Sequence, residues 1–137
     1  MLAAAGASIL NAYHTVLTGQ ARKAAKYPYP TPYAPLDAQN TSITAYAFNC
    51  AQRAHANYLE QLPTFLTTLL LSGLKYPVVS AGLGATWVVA RTIYLVGYTS
   101  STLNDGGKKR LRGSFAFLPQ ITLLGLTVYS AYSTLMK

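Results

Sequence analysis

Long apolar runs separated by short basic segments constrain the fold of this chain more than any other feature. Residues 1–18 and 113–136 contain no Asp, Glu, Lys or Arg, and residues 78–98 contain only Arg91. Charged residues make up 10% of the sequence, whereas they make up about a quarter of a typical soluble domain. The pattern predicts an all-α integral membrane protein with one domain, because the length leaves no room for a second.

Four transmembrane helices of about 20 residues fit the chain and would form a four-helix bundle: residues 1–18, 43–73, 77–98 and 113–135. The first connection contains a proline-rich stretch, residues 27–35. It is predicted to be a loop, because proline lacks a backbone donor and favours extended geometry. Pro63 lies inside the second helix, so a kink is expected near it.

The cations in the connections predict the orientation of the bundle. Seven Lys or Arg residues lie in the first and third connections, whereas only Lys75 and Lys137 lie on the opposite side. Since cytosolic loops carry an excess of Lys and Arg, the first and third connections are predicted to face the cytosol. The net charge of +8 is then a topological signal, and nucleic-acid binding is not expected.

Ionisable residues at membrane depth mark the candidate site, because each costs about 2.5–3.5 kcal/mol there. Arg53, Asn57 and Glu60 share one face of the second predicted helix, and Arg91, Tyr94 and Tyr98 share one face of the third. Antiparallel packing would bring both faces together toward the cytosol. The sequence predicts a polar cleft lined by Arg53, His55, Asn57, Glu60, Arg91, Tyr94 and Tyr98, with Arg22, Lys23 and Arg110 at its rim.

Such a cleft suits a small ligand with more than one carboxylate and one amine, and glutathione has that composition. The alternative is a purely structural network in which Glu60 pairs with Arg53 or Arg91, but it leaves one buried cation uncompensated. No metal site is expected, since His14 and His55 are far apart in sequence. Cys50, the only cysteine, is expected to be a small packed side chain.

Residues 48–60 resemble the signature of the membrane-associated proteins in eicosanoid and glutathione metabolism (MAPEG), and are most similar to the type 3 microsomal glutathione S-transferases. Residues 82–87, 91–98 and 109–113 continue the resemblance. It implies a single MAPEG domain over residues 1–137 that assembles as a homotrimer in the endoplasmic reticulum membrane. Glutathione would lie between neighbouring subunits near the cytosolic face.

The resemblance also implies an activity, that of a membrane-bound glutathione S-transferase and glutathione-dependent lipid hydroperoxide peroxidase. Glutathione would be a co-substrate held by the seven cleft residues and by Arg22 or Lys23, and no metal would be needed. Arg110 would activate the thiol, with Arg112 as the alternative. The same family also suggests a non-catalytic lipid- or glutathione-binding membrane partner protein, which the full polar set argues against.

Overall fold

Helices form most of the backbone in the computed structural model, which describes residues 1–136. The elements are α1 (Leu2–Ala25), α2 (Leu36–Thr41), α3 (Ile43–Lys75), α4 (Pro77–Thr99), two 3₁₀ helices (Leu103–Asp105 and Lys108–Ala116) and α5 (Phe117–Leu135). No strand occurs within residues 1–136. The predicted all-α class is confirmed.

Two of the helix ends differ from the predicted ones by more than two residues. Helix α1 continues beyond residue 18 to Ala25, because residues 20–25 are good helix formers. Lys26 ends it in the left-handed conformation (φ 60°), where its N–H donates to the carbonyls of Arg22 and Lys23. Helix α5 begins at Phe117 and not at residue 113, because the preceding residues wind as the 3₁₀ helix against α4.

Helices α1, α3 and α4 share one core. The Phe65 and Trp87 rings stack with centroids 3.7 Å apart, and both side chains are fully buried. The Tyr58 hydroxyl donates to the Ala7 carbonyl of α1 at 2.7 Å. At Gly84, an added Cβ would lie 2.8 Å from the Ala3 Cβ, so this glycine lets α4 approach α1 closely.

The first connection is held against α3 by one amide. The backbone N–H of Ala34 donates to Asn49 Oδ1 at 2.8 Å, and Asn49 Nδ2 donates to the Ala34 carbonyl at 3.0 Å and to Gln39 Oε1 at 2.7 Å. The loop predicted at residues 27–35 is confirmed. Helix α2, which follows it, was not predicted.

Two helical stretches are long and apolar enough to cross a membrane by length and composition alone. They are Pro77–Thr99 and Lys108–Leu135, with mean hydropathy 1.4 and 1.3. Large apolar side chains of α5 point outward, including Phe117, Leu118 and Ile121. The polar face of α3 and the cations at the end of α1 lower the hydropathy of those two helices, so the four-span topology stays a prediction.

Candidate functional site

The polar faces of α3 and α4 meet at one hydrogen bond. Arg91 Nη2 on α4 donates to Asn57 Oδ1 on α3 at 2.9 Å. Asn57 is half-buried, while Arg91 is 5% exposed. The two residues that the spacing placed on facing helices are therefore in direct contact.

The Arg91 guanidinium sits among aromatic rings. Its Cζ lies 4.6 Å from the Tyr94 ring centroid, 5.6 Å from that of Tyr58 and 5.8 Å from that of Trp87. Ring faces attract a desolvated cation, so these contacts stabilise the buried charge. Within residues 1–136 the single ion pair is Lys109–Asp105 at 3.2 Å, so neither Arg–Glu pair of the structural-network alternative is formed.

Arg53 and Glu60, on the same face of α3 as Asn57, are exposed at the surface. Arg53 also borders a polar cavity of about 300 Å³. Tyr98 of α4, Gly106 of the following turn and Cys50, which is 4% exposed, also line this cavity. The Arg53 guanidinium and the Glu60 carboxylate are therefore accessible to a ligand. Cys50 is packed, as predicted.

Tyr98 connects this surface to Arg110. The Tyr94 and Tyr98 rings meet edge to face with centroids 5.8 Å apart, and the Arg110 Cζ lies 5.0 Å from the Tyr98 centroid. Arg110 is half-buried and Arg112 is exposed. Arg110 thus lies at one end of the row formed by Arg91, Tyr94 and Tyr98.

The turn before the long 3₁₀ helix fixes Arg110 Nη1, which donates to the carbonyls of Gly107 at 2.8 Å and Gly106 at 3.4 Å. The turn is closed by Asp105, whose carboxylate accepts from the Thr102 N–H and the Gly107 N–H, both at 3.0 Å. The Thr102 N–H and the Lys109 ammonium hold the pKa of Asp105 below its usual range. A lowered carboxyl pKa stabilises the fold at neutral pH, and this contribution is lost only as the pH falls below about 4.

Close backbone contact places the 3₁₀ helix on α4. A Cβ at Gly97 would lie 2.4 Å from the Lys109 carbonyl oxygen, and a Cβ at Gly113 would lie 2.4 Å from the Tyr94 backbone nitrogen. Because no larger side chain fits at either position, these two glycines set the distance between Arg110 and the tyrosines of α4.

Arg22 and Lys23 occupy different positions at the end of α1. Arg22 is 8% exposed, and its Nη1 donates to the carbonyls of Tyr27 and Thr31 in the first connection. Its guanidinium also lies 4.6 Å from the Phe48 ring centroid. Lys23 is exposed. Arg22 is thus engaged by its own loop, and Lys23 is the residue of the two that is available at the surface.

His55 lies on a different side of α3 from Arg53. Two residues along an α-helix rotate a side chain by about 200°, and the His55 ring stacks on His14 of α1 with centroids 5.6 Å apart. The structure therefore groups Arg53, Asn57, Arg91, Tyr94, Tyr98 and Arg110, with Glu60 on the same face of α3, and it places His55 and Arg22 elsewhere.

Two structural contributors were missed by the sequence analysis. Asn49 lies in the segment 48–60 but was given no role, and its amide clamps the first connection. His14 was treated separately from His55 because only the packing of α1 on α3 brings the rings together. An ionisable residue in the otherwise apolar first helix was the available sequence signal for His14.

The assembled surface can bind a small ligand of mixed charge. Arg53 offers guanidinium donors to a carboxylate and Glu60 offers acceptors to an ammonium. Arg110 is a permanent cation beside Tyr98. Such a cation stabilises an anion that forms near it, including a thiolate.

A sequence model of the MAPEG family matches residues 1–132. This family is membrane-associated, and it includes glutathione transferases as well as members that are not enzymes. The match covers almost the whole chain of 137 residues, so the protein belongs to the MAPEG family.

Proposed function

We propose that this protein is an integral membrane glutathione S-transferase that also reduces lipid hydroperoxides, related to the type 3 microsomal branch of its family. One observation carries the proposal, which is the unbroken row of contacts from Arg110 to Asn57. Arg110 lies over Tyr98, Tyr98 contacts Tyr94, and Arg91 lies against Tyr94 and donates to Asn57.

The charges of this surface match those of glutathione. Glutathione has two carboxylates and one ammonium. The exposed Arg53 would bind a carboxylate, and the exposed Glu60 would bind the ammonium. Asn57 contributes an amide whose oxygen is held by Arg91. Because Arg91 is buried, we propose that it orients Asn57 and does not itself contact glutathione.

Arg110 would supply the chemistry. A thiol with a pKa near 8.5 is mostly protonated at pH 7, and a nearby guanidinium favours the thiolate. The thiolate sulfur would bond to an electrophilic carbon and displace its leaving group. With a hydroperoxide, it would attack the terminal oxygen, the O–O bond would break, and the alkoxide would take a proton. The resulting sulfenic acid would condense with a second glutathione to give the disulfide and water.

A homotrimer would complete the site. Arg53 and His55 point to different sides of α3, so one chain cannot apply both to the same ligand. In a trimer, His55 and Lys23 of a neighbouring copy would close the cleft over glutathione. The resemblance to the microsomal branch supports residence in the endoplasmic reticulum membrane. The cations of the first and third connections support a cytosolic position for both connections.

Glutathione-dependent turnover tests this function. Detergent-purified protein is expected to conjugate a chlorodinitrobenzene and to consume a fatty-acid hydroperoxide, each in proportion to the added glutathione. Binding of glutathione without turnover of either compound would favour the non-catalytic partner protein. Absence of both binding and turnover would reject the proposal.

The Glu60→Gln variant is expected to raise the KM for glutathione by about 10- to 100-fold, the value of one hydrogen bond to a charged group. Its kcat should change little, because the carboxylate is proposed to bind and not to react. Steady-state kinetics with varied glutathione measures both constants. Asp37→Asn removes another exposed carboxylate, from α2, and should leave KM near the parent value.

The Gly107→Ala variant is expected to displace Arg110. A Cβ at Gly107 would lie 2.8 Å from the Tyr98 ring and 2.9 Å from Arg110 Nη1, whereas nothing lies within 4 Å at Gly106. Both glycines have positive φ, so each Ala substitution carries the same backbone cost of about 1–2 kcal/mol. Only Gly107→Ala should also reduce kcat with the electrophile. Equal kcat in the Gly106→Ala and Gly107→Ala variants would contradict the role of Arg110 in activating the thiol.

A further inference from the structure

Unpaired polar atoms collect in the interior of the bundle. Within residues 1–136, five buried side-chain N or O atoms have no hydrogen-bond partner, and four of them belong to Asn11, His14 and Arg91. They are Asn11 Oδ1, His14 Nδ1, His14 Nε2 and Arg91 Nε. His14 and Arg91 are 1% and 5% exposed.

His14 and Arg91 both lie against the ring of Tyr58. The His14 ring centroid lies 4.6 Å from that of Tyr58, and the Arg91 Cζ lies 5.6 Å from the same centroid. Asn11 precedes His14 by one turn of α1, so both side chains lie on the same helix face. The Tyr58 hydroxyl donates its only proton to the Ala7 carbonyl, so it has none to donate to Asn11 or His14. It is also not a hydrogen-bond partner of Arg91 Nε.

The unpaired atoms of Asn11, His14 and Arg91 include both hydrogen-bond donors and acceptors, so their partner must be able to do both. Asn11 Oδ1 can only accept, Arg91 Nε can only donate, and a neutral imidazole does one of each. Water performs both roles, and a buried water commonly makes about three hydrogen bonds to such groups. An anion would leave Asn11 unpaired, and the charge of Arg91 is already stabilised by three rings and Asn57.

We propose that the interior between α1, α3 and α4 holds a small cluster of ordered water molecules bonded to Asn11, His14 and Arg91. The water at Arg91 Nε fixes the orientation of the guanidinium whose Nη2 holds Asn57. Asn11 and His14 are then positioning residues for glutathione binding. The positioning role rests on the proposed function, whereas the water cluster does not.

X-ray radiolysis of the purified protein, followed by mass spectrometry of its peptides, tests the water cluster directly. Hydroxyl radicals form where water is present and oxidise the nearest side chains. Oxidation is expected at His14 and Tyr58, although both are buried, and not at Phe65, which is equally buried on α3 and stacks on Trp87. Protection of His14 and Tyr58 to the same degree as Phe65 would overturn the proposal.

Two variants test whether His14 and Asn11 hold the water from which the radicals form. His14→Phe removes both imidazole nitrogens and Asn11→Leu removes the amide, and each is expected to reduce oxidation of Tyr58. Thr15→Val alters an exposed neighbour on α1 whose hydroxyl bonds only to the Asn11 carbonyl, and should leave the oxidation unchanged. Undiminished oxidation of Tyr58 in both folded variants would mean that the water is not held by these residues.

Glutathione binding provides the separate test of the positioning role. His14→Phe and Asn11→Leu are each expected to raise the KM for glutathione about fivefold, the value of one net hydrogen bond, with kcat nearly unchanged. An unchanged KM with reduced Tyr58 oxidation would reject positioning and keep the water. If the parent binds no glutathione, the proposed function fails, and the oxidation pattern still decides whether the interior is hydrated.

Discussion

Arg110→Ala is expected to abolish the thiolate absorbance of bound glutathione and to lower kcat/KM by about 10²- to 10³-fold, as when one electrostatic stabiliser of a developing anion is removed. The reason is the position of the guanidinium, which lies over Tyr98 and is fixed by the carbonyls of Gly106 and Gly107. An ultraviolet difference spectrum of the protein with and without glutathione measures the thiolate.

Arg112→Ala is the matched control, because Arg112 is an exposed arginine two residues further along the same 3₁₀ helix. Its thiolate spectrum should equal that of the parent. Loss of the thiolate in Arg112→Ala, with retention in Arg110→Ala, would transfer the role to Arg112. Normal thiolate in both variants would remove this loop from the chemistry.

Gly97→Ala is expected to destabilise the protein by about 3 kcal/mol, the upper part of the range for overpacking. The added Cβ would lie 2.4 Å from the Lys109 carbonyl oxygen and 2.8 Å from its carbon. These are backbone atoms, so the 3₁₀ helix must move away from α4 as a unit, and Arg110 moves with it. Denaturation of the protein in detergent, followed by circular dichroism, measures the loss of stability.

Gly82→Ala, also on α4, is the control for the loss of a glycine. Nothing lies within 4 Å of a Cβ at Gly82, so this variant should be as stable as the parent or more stable by about 0.5–1 kcal/mol. Equal stability of the Gly97 and Gly82 variants would show that the 3₁₀ helix does not rest on α4 as described.

Helical periodicity was sufficient to predict the centre of the candidate site. The spacing of Arg53, Asn57 and Glu60 defined one face, and the spacing of Arg91 and Tyr94 defined another. The contact between Asn57 and Arg91 follows from antiparallel packing of neighbouring helices. The all-α class followed in the same way from the apolar runs.

The spacing of residues in the sequence did not predict the positions of side chains that depend on local backbone geometry. Arg22 was placed at the rim of the cleft, but the carbonyls of its own loop engage it. His55 was grouped with Arg53 by proximity in sequence, although two residues of helix turn it toward His14. Gly82 and Gly84 are alike in sequence context, yet only Gly84 lies at a close contact between helices.

The glycines around Arg110 explain why the third connection was the hardest to predict. A stretch with Gly106, Gly107 and four nearby cations is typical of a solvated loop. The structure instead forms a capped turn and a 3₁₀ helix packed on Gly97. That packing depends on backbone contacts between the end of α4 and the 3₁₀ helix, which the composition of the connection does not indicate.

Calorimetric titration of glutathione into the purified protein shows whether the polar surface of α3 and α4 binds this ligand. We predict saturable heat in the parent, and an affinity at least about tenfold lower in Arg53→Ala, the value of a hydrogen bond from a charged group. Lys108→Ala, which removes an exposed cation of the 3₁₀ helix, should bind like the parent. Absence of heat in the parent protein would contradict the account and would leave the polar residues of α3 and α4 as a structural network.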